Sequence, residues 1–249
     1  MTINIFPNNG SQNQGTTKTL PLANQDATAP ATVTAPASDQ AEPALPVLNV
    51  IKRKSLPTGV ASNVKQLVLL LLDSSSSMAL LGKIDELNAA VADFIAELAN
   101  QVNKGGFKVS IIEFDSSARL ICSAESAETL VAPVLQASNG TNFDAPIDMA
   151  ATEIEDFHNR PNPEGWHYLR PFVIKMSDGQ ANASEEKIQK LHELADVMTV
   201  AYGTDANKAT LSRIASDGQV HVVGVDGSRL RSFLAQVGRT MTQTMAQNI

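Results

Sequence analysis

The chain has 249 residues, of which 43% are hydrophobic, and a formal net charge of −7 at pH 7. These values predict one domain with a sizeable core, and the acidic balance argues against nucleic acid or an anionic membrane as a partner, because both bind basic surfaces. The longest apolar run, Leu67–Leu72, is too short to span a bilayer. The single cysteine, Cys122, excludes an internal disulfide, and the first residues lack the pattern of a secretory signal. We therefore expect a cytoplasmic protein with no membrane partner.

The composition changes near residue 65, and this change divides the chain into two predicted parts. Residues 1–45 are rich in Thr, Ala, Pro, Asn, Gln and Ser, with too little apolar area to offset the entropy lost on ordering. We predict a low-complexity, disordered tail and linker over residues 1–64 and a folded domain over 65–249. Within the first part, residues 47–60 flank a short basic cluster with apolar residues. They fit either a linker lying on the domain or a short docking motif.

Beyond residue 65, apolar runs of strand length alternate with stretches whose apolar residues recur at helical spacing. Strands are predicted at residues 66–73, 107–115, 118–122, 169–178, 196–203 and 218–225. Helices are predicted at residues 83–102, 124–133, 142–159, 183–195, 205–216 and 227–247. The third strand is expected to pair with the second as a hairpin. We expect a capping box at Ser184 before the fourth helix and a cap at Asp205 before the fifth.

This alternation predicts an α/β fold: a doubly wound, mostly parallel sheet with helices on both faces. Ligands in such folds bind at the carboxyl ends of the strands, where the winding direction switches. Three polar segments fall at that edge: "DSSSS" at 73–77, "NGTNFD" at 139–144 and "MSDGQ" at 176–180. They bring together five candidate site residues, namely Asp73, Ser75, Ser77, Thr141 and Asp178.

The side chains of these five residues all present oxygen atoms, which suit Mg²⁺, Mn²⁺ or Ca²⁺ rather than zinc or copper. Mg²⁺ takes six oxygen ligands at roughly 2.0–2.1 Å and tends to keep some waters. We expect Ser75, Ser77 and Thr141 to bind the ion directly, with Asp73 and Asp178 acting through water. Because hydroxyl ligands are neutral, the ion keeps much of its positive charge. An Asp or Glu of a protein partner is therefore expected to complete the coordination shell.

The D-x-S-x-S pattern at residues 73–77, together with Thr141 and Asp178, resembles the metal-ion-dependent adhesion site of von Willebrand factor A (VWA) domains. The resemblance covers residues 66–245 and implies a metal-dependent protein-interaction module without enzymatic activity. Within the family, "MALLGKI" and "LRSFLAQVGRTM" are most similar to the bacterial stand-alone type associated with tellurite-resistance and stress operons. That similarity implies an adaptor with kinase and phosphatase partners. One departure is Asn139, where many relatives carry glycine; asparagine also tolerates left-handed backbone angles.

An enzyme is the main alternative, because phosphatases of the haloacid dehalogenase type also place one Asp after an apolar strand and another on a later strand. In that interpretation Asp73 is the nucleophile and Asp178 is a Mg²⁺ ligand. Such enzymes need a second Asp two residues after the first as the general acid. This chain has Ser75 there, whose hydroxyl cannot act as an acid at neutral pH. A third possibility is a metal that has a structural role and never meets a partner.

Other polar and aromatic residues are predicted to be structural. Asp115 ends the second strand and is expected to act as a turn residue, and Asp144 suits the positive end of a helix dipole. Cys122 is expected in the core. Residues 158–171 contain the only tryptophan, Trp166, and should lie on the face opposite the metal. This segment is either a loop pinned by aromatic packing or a second interaction surface.

Overall fold

The computed structural model describes residues 64–103, 105–203, 206–224 and 227–247. Its strands are β1 (Val64–Asp73), β2 (Phe107–Phe114), β3 (Ala118–Ser126), β4 (His167–Ser177), β5 (Asp196–Tyr202) and β6 (Val220–Val223). Its α-helices are α1 (Lys83–Leu98), α2 (Asp144–His158), α3 (Glu185–Leu194), α4 (Lys208–Ile214) and α5 (Gly227–Gln247). Apart from Val64, the predicted tail and linker, including residues 47–60, lie outside the described residues. Within the described stretches, none of the helices has the length and apolarity that a bilayer crossing requires.

The six strands form one sheet in the order β3-β2-β1-β4-β5-β6. β3 is antiparallel to β2, as the predicted hairpin requires, and every other neighbouring pair is parallel. β1 lies inside the sheet, where Asp73 pairs with Phe114 of β2 and Leu72 pairs with Met176 of β4. The chain builds outward from β1 in both directions, so the predicted doubly wound α/β fold is confirmed.

The apolar run of β1 is buried on both faces because helices cover both sides of the sheet. Within Leu67–Leu72, side chains at even positions pack with α1 and α5, whereas side chains at odd positions pack with α2, α3 and α4. All of them are fully buried, and each such side chain contributes roughly 1.5–3 kcal/mol relative to exposure. Because side chains alternate along a strand, Asp73 continues the series on the α2 side of the sheet.

The prediction of a helix over residues 124–133 is wrong. β3 continues to Ser126, and residues 130–142 contain neither helix nor strand. Leu135 is buried, and Leu130 packs against the core, whereas Val131 and Val134 are 85% and 82% exposed. The apolar residues of the segment therefore do not share one helical face, and a short helix without such packing is marginal in water. Instead, the Asn88 side chain of α1 holds the segment through the backbone of Leu135, donating at 3.0 Å and accepting at 2.9 Å.

Two helix starts also differ from the prediction. Ser184 precedes α3 but makes no capping hydrogen bond, and its hydroxyl donates to Asp144 of α2 at 2.6 Å instead. The side chain that caps α4 belongs to Asn207, which accepts from the backbone N–H of Thr210 at 3.1 Å. The predicted cap, Asp205, lies outside the described residues. In α3 a contact between helices therefore replaces the local bond that the sequence suggested.

Candidate metal site

Asp73, the last residue of β1, joins two of the loops that form the site. It is fully buried, and its Oδ1 accepts a hydrogen bond from the backbone N–H of Ser75 at 2.8 Å. Its Oδ2 accepts a hydrogen bond from the hydroxyl of Ser177 at the end of β4. Burial raises the pKa of this carboxyl above its ordinary value, against the lowering effect of these hydrogen bonds and of Lys175. Asp73 therefore connects the loop after β1 to the end of β4.

Ser75, Ser77 and Asp178 present a row of adjacent oxygen atoms. The two serine Oγ atoms are 3.1 Å apart, and the Ser77 hydroxyl donates to Oδ1 of Asp178 at 2.7 Å. Neighbouring ligands of an octahedral Mg²⁺ with bonds of 2.0–2.1 Å are about 2.9 Å apart. The separation of the two serine oxygens, the expected direct ligands, is close to that value, and every donor is a hard oxygen. These residues therefore fit a divalent cation.

Thr141 reaches the same place from the loop before α2. Gly179, directly after Asp178, has no room for a side chain: a Cβ there would lie 2.8 Å from Thr141 Cγ2, 3.1 Å from Thr141 Oγ1 and 3.2 Å from Asp73 Oδ2. The Thr141 hydroxyl and the Asp73 carboxylate are thus both close to the same glycine. The structure brings all five residues singled out in the sequence to one edge of the sheet.

Asp115 positions the loop before α2. Its carboxylate accepts hydrogen bonds from Asn139 Nδ2 at 2.8 Å, Ser138 Oγ at 3.2 Å and the backbone N–H of Ser117 at 2.8 Å. Its backbone carbonyl accepts from the N–H of Asn142 at 2.7 Å. Burial opposes the charged form, but the hydrogen bonds to the side chain outweigh it and hold the pKa at about 2. The structural role predicted for Asp115 is confirmed.

Two backbone hydrogen bonds fix the serine loop to the loop before α2. The N–H of Ser138 donates to the carbonyl of Ser74 at 2.7 Å, and the N–H of Ser76 donates to the carbonyl of Asn139 at 2.9 Å. Asn139 has a φ of +56°, the left-handed backbone that the sequence suggested at this glycine-like position. The Ser74 hydroxyl donates to the Phe114 carbonyl at 3.3 Å, and Ser76 is exposed. Neither of these intervening serines joins the row of oxygen atoms.

Two buried lysines adjoin the site, and sequence reasoning missed both. Lys83, the first residue of α1, is 3% exposed, and its ammonium lies 2.5 Å from Oδ2 of Asp178. Lys175 of β4 is completely buried, with Nζ 3.8 Å and 3.7 Å from the ring centroids of Phe114 and Phe143. Its Nζ has no hydrogen-bond partner among the described residues. Burial lowers the pKa of Lys175 to about 7, and the negative charge of the Asp73 carboxylate opposes this lowering.

The sequence contained a signal for only one of these lysines. Lys175 interrupts the apolar strand "FVIKMSD", and a charge inside a strand covered on both faces indicates a buried cation. Lys83 looks like an ordinary first residue of an amphipathic helix. Its burial follows a turn through Leu81 and Gly82, whose φ values are +57° and +70°. Hydrophobic periodicity does not predict such a turn.

The other residues considered in the sequence have structural contacts. Asp144 accepts a hydrogen bond from the backbone N–H of Ser184 at 2.7 Å and so links α2 to the start of α3. Cys122 is buried, and burial raises the pKa of its thiol to about 11. Trp166 lies near the amino end of β1, where Lys65 Nζ is 4.1 Å from its ring centroid. This contact agrees with a loop pinned by aromatic packing. The loop lies at the edge of the sheet opposite to Asp73, which ends β1.

Comparison with known proteins identifies the family. A family model for the von Willebrand factor type A domain matches residues 68–236, which is more than half of the chain. Proximal thread matrix protein 1 from the mussel byssus has a similar structure, with a TM-score of 0.56 and 20% identity over 72% of this chain and 49% of that chain. A second structure of the mussel protein, with a zinc-occupied MIDAS motif, has a TM-score of 0.55, with 20% identity over 72% of this chain and 48% of that chain.

A von Willebrand factor type A protein from Catenulispora acidiphila is also similar, with a TM-score of 0.54 and 15% identity over 70% of this chain and 42% of that chain. The chain thus spans about half or less of the length of these structures (49%, 48% and 42%), and identities this low show the fold alone. Curated proteins give no significant match. The family match includes all three loops of the candidate site. The chain therefore belongs to the von Willebrand factor type A domain family, a family of metal-dependent protein-interaction modules.

Proposed function

We propose that this chain binds Mg²⁺ at the edge of its sheet and uses the bound ion to recognise a protein partner. Ser75, Ser77 and Thr141 would hold the ion directly, and Asp73 and Asp178 would act through water. The observation that carries this proposal is the 3.1 Å separation of the Ser75 and Ser77 Oγ atoms, which suits neighbouring ligands of an octahedral ion, beside the Asp178 carboxylate that accepts the Ser77 hydroxyl at 2.7 Å. When bound, the ion supplies a positive centre that attracts an anionic oxygen.

The charges around the site favour a carboxylate from outside. The three direct ligands are neutral hydroxyls. The ammonium of Lys83 lies 2.5 Å from Oδ2 of Asp178 and offsets the negative charge of that carboxylate. A divalent ion therefore keeps a net positive charge, which an Asp or Glu of the partner would neutralise. Mn²⁺ or Ca²⁺ suits the same donors. The mussel structure with zinc in its MIDAS motif supports a divalent ion at this kind of motif.

An exposed apolar pair lies beside the proposed metal. Leu80 and Leu81 are 62% and 78% exposed. They lie between Ser77 and Lys83, whose side chains both contact the carboxylate of Asp178. This loop is thus held at both ends beside the row of oxygen atoms. We propose that the two leucines contact apolar residues next to the partner's Asp or Glu, because interface centres are apolar and exclude water.

The cellular setting of this proposal is a bacterial stress or tellurite-resistance type of system in the cytoplasm. There the chain would act as an adaptor for a kinase and a phosphatase. "MALLGKI", which leads into α1, and "LRSFLAQVGRTM", within α5, support this setting through their similarity to the stand-alone type. The net charge of −7 supports a protein partner rather than nucleic acid or a membrane surface.

The phosphatase alternative receives no support from the described residues. Asp73 is fully buried, and its two carboxylate oxygens accept hydrogen bonds from the N–H of Ser75 and the hydroxyl of Ser177. A nucleophilic carboxylate has to reach its substrate. Hydrolysis of a generic aryl phosphate, measured for the wild type and for Asp73→Asn, tests this alternative. Turnover that disappears in the variant would favour the enzyme.

Isothermal titration with Mg²⁺ and Mn²⁺ tests the metal site with a matched pair of serine variants. Ser77→Ala removes a hydroxyl from the row of oxygen atoms, whereas Ser76→Ala removes an exposed hydroxyl outside it. We expect Ser77→Ala to lose both metal binding and the metal-induced rise in melting temperature, because the ion stabilises only the protein that binds it. Ser76→Ala should behave like the wild type. Equal metal binding by both variants would contradict the site.

The partner is tested separately by affinity capture from cells with and without a chelator. A protein retained only with metal, and lost when the bait carries Asp73→Ala, supports recognition through the ion. Retention that is equal with and without metal contradicts the proposed mode of recognition even if metal binding is measured.

A further inference from the structure

Lys83 is a charged residue that the proposed metal coordination does not require. It is 3% exposed, although lysine is almost never buried without a partner. Its ammonium lies 2.5 Å from Oδ2 of Asp178, whose side chain is completely buried. The other oxygen of that carboxylate accepts the Ser77 hydroxyl at 2.7 Å. One carboxylate is therefore shared between a proposed metal ligand and a fixed cation of the protein.

The local structure opposes a lysine here in two ways. Burial penalises an ammonium, and the first residue of a helix is an unfavourable place for positive charge because the amide dipoles point their positive ends there. Two left-handed residues, Leu81 and Gly82, with φ of +57° and +70°, precede Lys83. At the surface a lysine would keep its ammonium in water. The inward position of Lys83 therefore indicates that its ammonium is placed to change the charge of the Asp178 carboxylate.

We infer that Lys83 is a resident cation that lowers the affinity of the site for a divalent metal ion. The inference rests on the proposed metal site and adds to it a residue outside the D-x-S-x-S pattern. The ammonium neutralises Asp178 and repels an ion that approaches the same carboxylate. The protein without metal keeps Asp178 paired, and metal alone binds weakly. The negative charge that the ion still needs then has to come from the partner, so Lys83 couples metal loading to partner binding.

The test replaces Lys83 with methionine, which keeps an unbranched apolar side chain and removes the charge. Lys190→Met is the matched control, because Lys190 is an exposed lysine of α3 that pairs with Glu155. Isothermal titration with Mg²⁺ and Mn²⁺ gives the dissociation constants. A unit charge at close range shifts an ionic equilibrium roughly 10–1000-fold. We expect Lys83→Met to bind metal at least tenfold more tightly than the wild type, and the control to be unchanged.

Thermal unfolding gives a second readout of the same effect. In chelator, Lys83→Met should melt at a lower temperature than the wild type, because Asp178 then lacks its ion-pair partner. Saturating Mg²⁺ should raise its melting temperature by more than it raises that of the wild type. Lys83→Gln, which can still donate a hydrogen bond to Asp178 without a charge, serves the same purpose if the methionine variant does not fold.

The outcomes separate this inference from the proposal on which it rests. Tighter metal binding that is confined to the neutral Lys83 variants supports the inference. If the wild type binds metal and the neutral variants bind it equally or more weakly, the inference is overturned, and Lys83 only orders Asp178. If neither the wild type nor any variant binds metal, the proposed metal site fails and the inference fails with it.

Discussion

We expect the buried Lys175 to make the stability of the folded protein depend on pH, and a single substitution should remove this dependence. Its ammonium is completely buried between the rings of Phe114 and Phe143. Burial lowers its pKa from 10.5 to about 7, so the folded protein loses this proton at a lower pH than the unfolded chain does. Between those two pH values the unfolded chain binds more protons. The stability of the folded state therefore rises with pH across this window.

The magnitude follows from the two pKa values. Their difference of 3.5 (10.5 − 7) corresponds to a penalty of about 5 kcal/mol below pH 7, at roughly 1.36 kcal/mol per pKa unit. The penalty decreases by about 2 kcal/mol between pH 7 and pH 9. Lys175→Met should be more stable than the wild type at pH 7, and its advantage should shrink by that amount at pH 9.

Urea unfolding of the wild type and Lys175→Met in chelator, at both pH values, measures this change. The difference between the two proteins removes groups that titrate in both, such as Cys122, whose pKa burial raises to about 11. Lys190→Met, at an exposed position, should show no such change with pH. An advantage that differs by less than about 0.5 kcal/mol, the usual effect of a surface substitution, would refute the reasoning.

Three further variants test separate features. Gly179→Ala should weaken Mg²⁺ binding about 10–100-fold, as loss of a supporting contact does, because its Cβ would lie 2.8 Å from Thr141 Cγ2; titration calorimetry checks this, and unchanged affinity would place Thr141 outside the site. Replacing Leu80 and Leu81 together with serine should leave Mg²⁺ titrations unchanged and reduce metal-dependent capture of the partner; undiminished capture would put the contact elsewhere. Asn207→Ala removes the cap of α4 and should lower the free energy of unfolding by about 1 kcal/mol in urea.

Local patterns in the sequence were sufficient to predict most of the fold. The run Leu67–Leu72 is apolar at every position, which favours a strand covered on both faces, and the structure buries all of it. The chain segment before β4 repeats apolar residues at helical spacing, and α2 spans Asp144–His158 there. Because ligands bind at the carboxyl ends of parallel strands, the sequence alone also predicted that Asp73, Thr141 and Asp178 would meet. The metal they would bind stays a prediction.

Local patterns failed where the surroundings of a segment decide its structure. Residues 124–133 have helical character, yet β3 extends to Ser126 because pairing with β2 is available, and the remainder packs Ala127, Leu130 and Ala132 against the core without forming a helix. Ser184 resembles a helix cap, but the nearby carboxylate of Asp144 takes its hydroxyl. A single sequence does not show which partner is nearest in space, so these outcomes depend on tertiary packing.

The sequence by itself determined the alternation of strands and helices, and with it the edge of the sheet where the oxygen-bearing side chains gather. Only the tertiary structure decided where the two buried lysines lie beneath that edge. Lys83 and Asp178 are 95 positions apart in the chain, and Lys175 meets aromatic rings from β2 and from the residue before α2. Periodicity reports which face of an element is buried, because burial repeats along that element. A contact between single side chains on distant elements has no repeat, so it becomes visible only when the elements are packed.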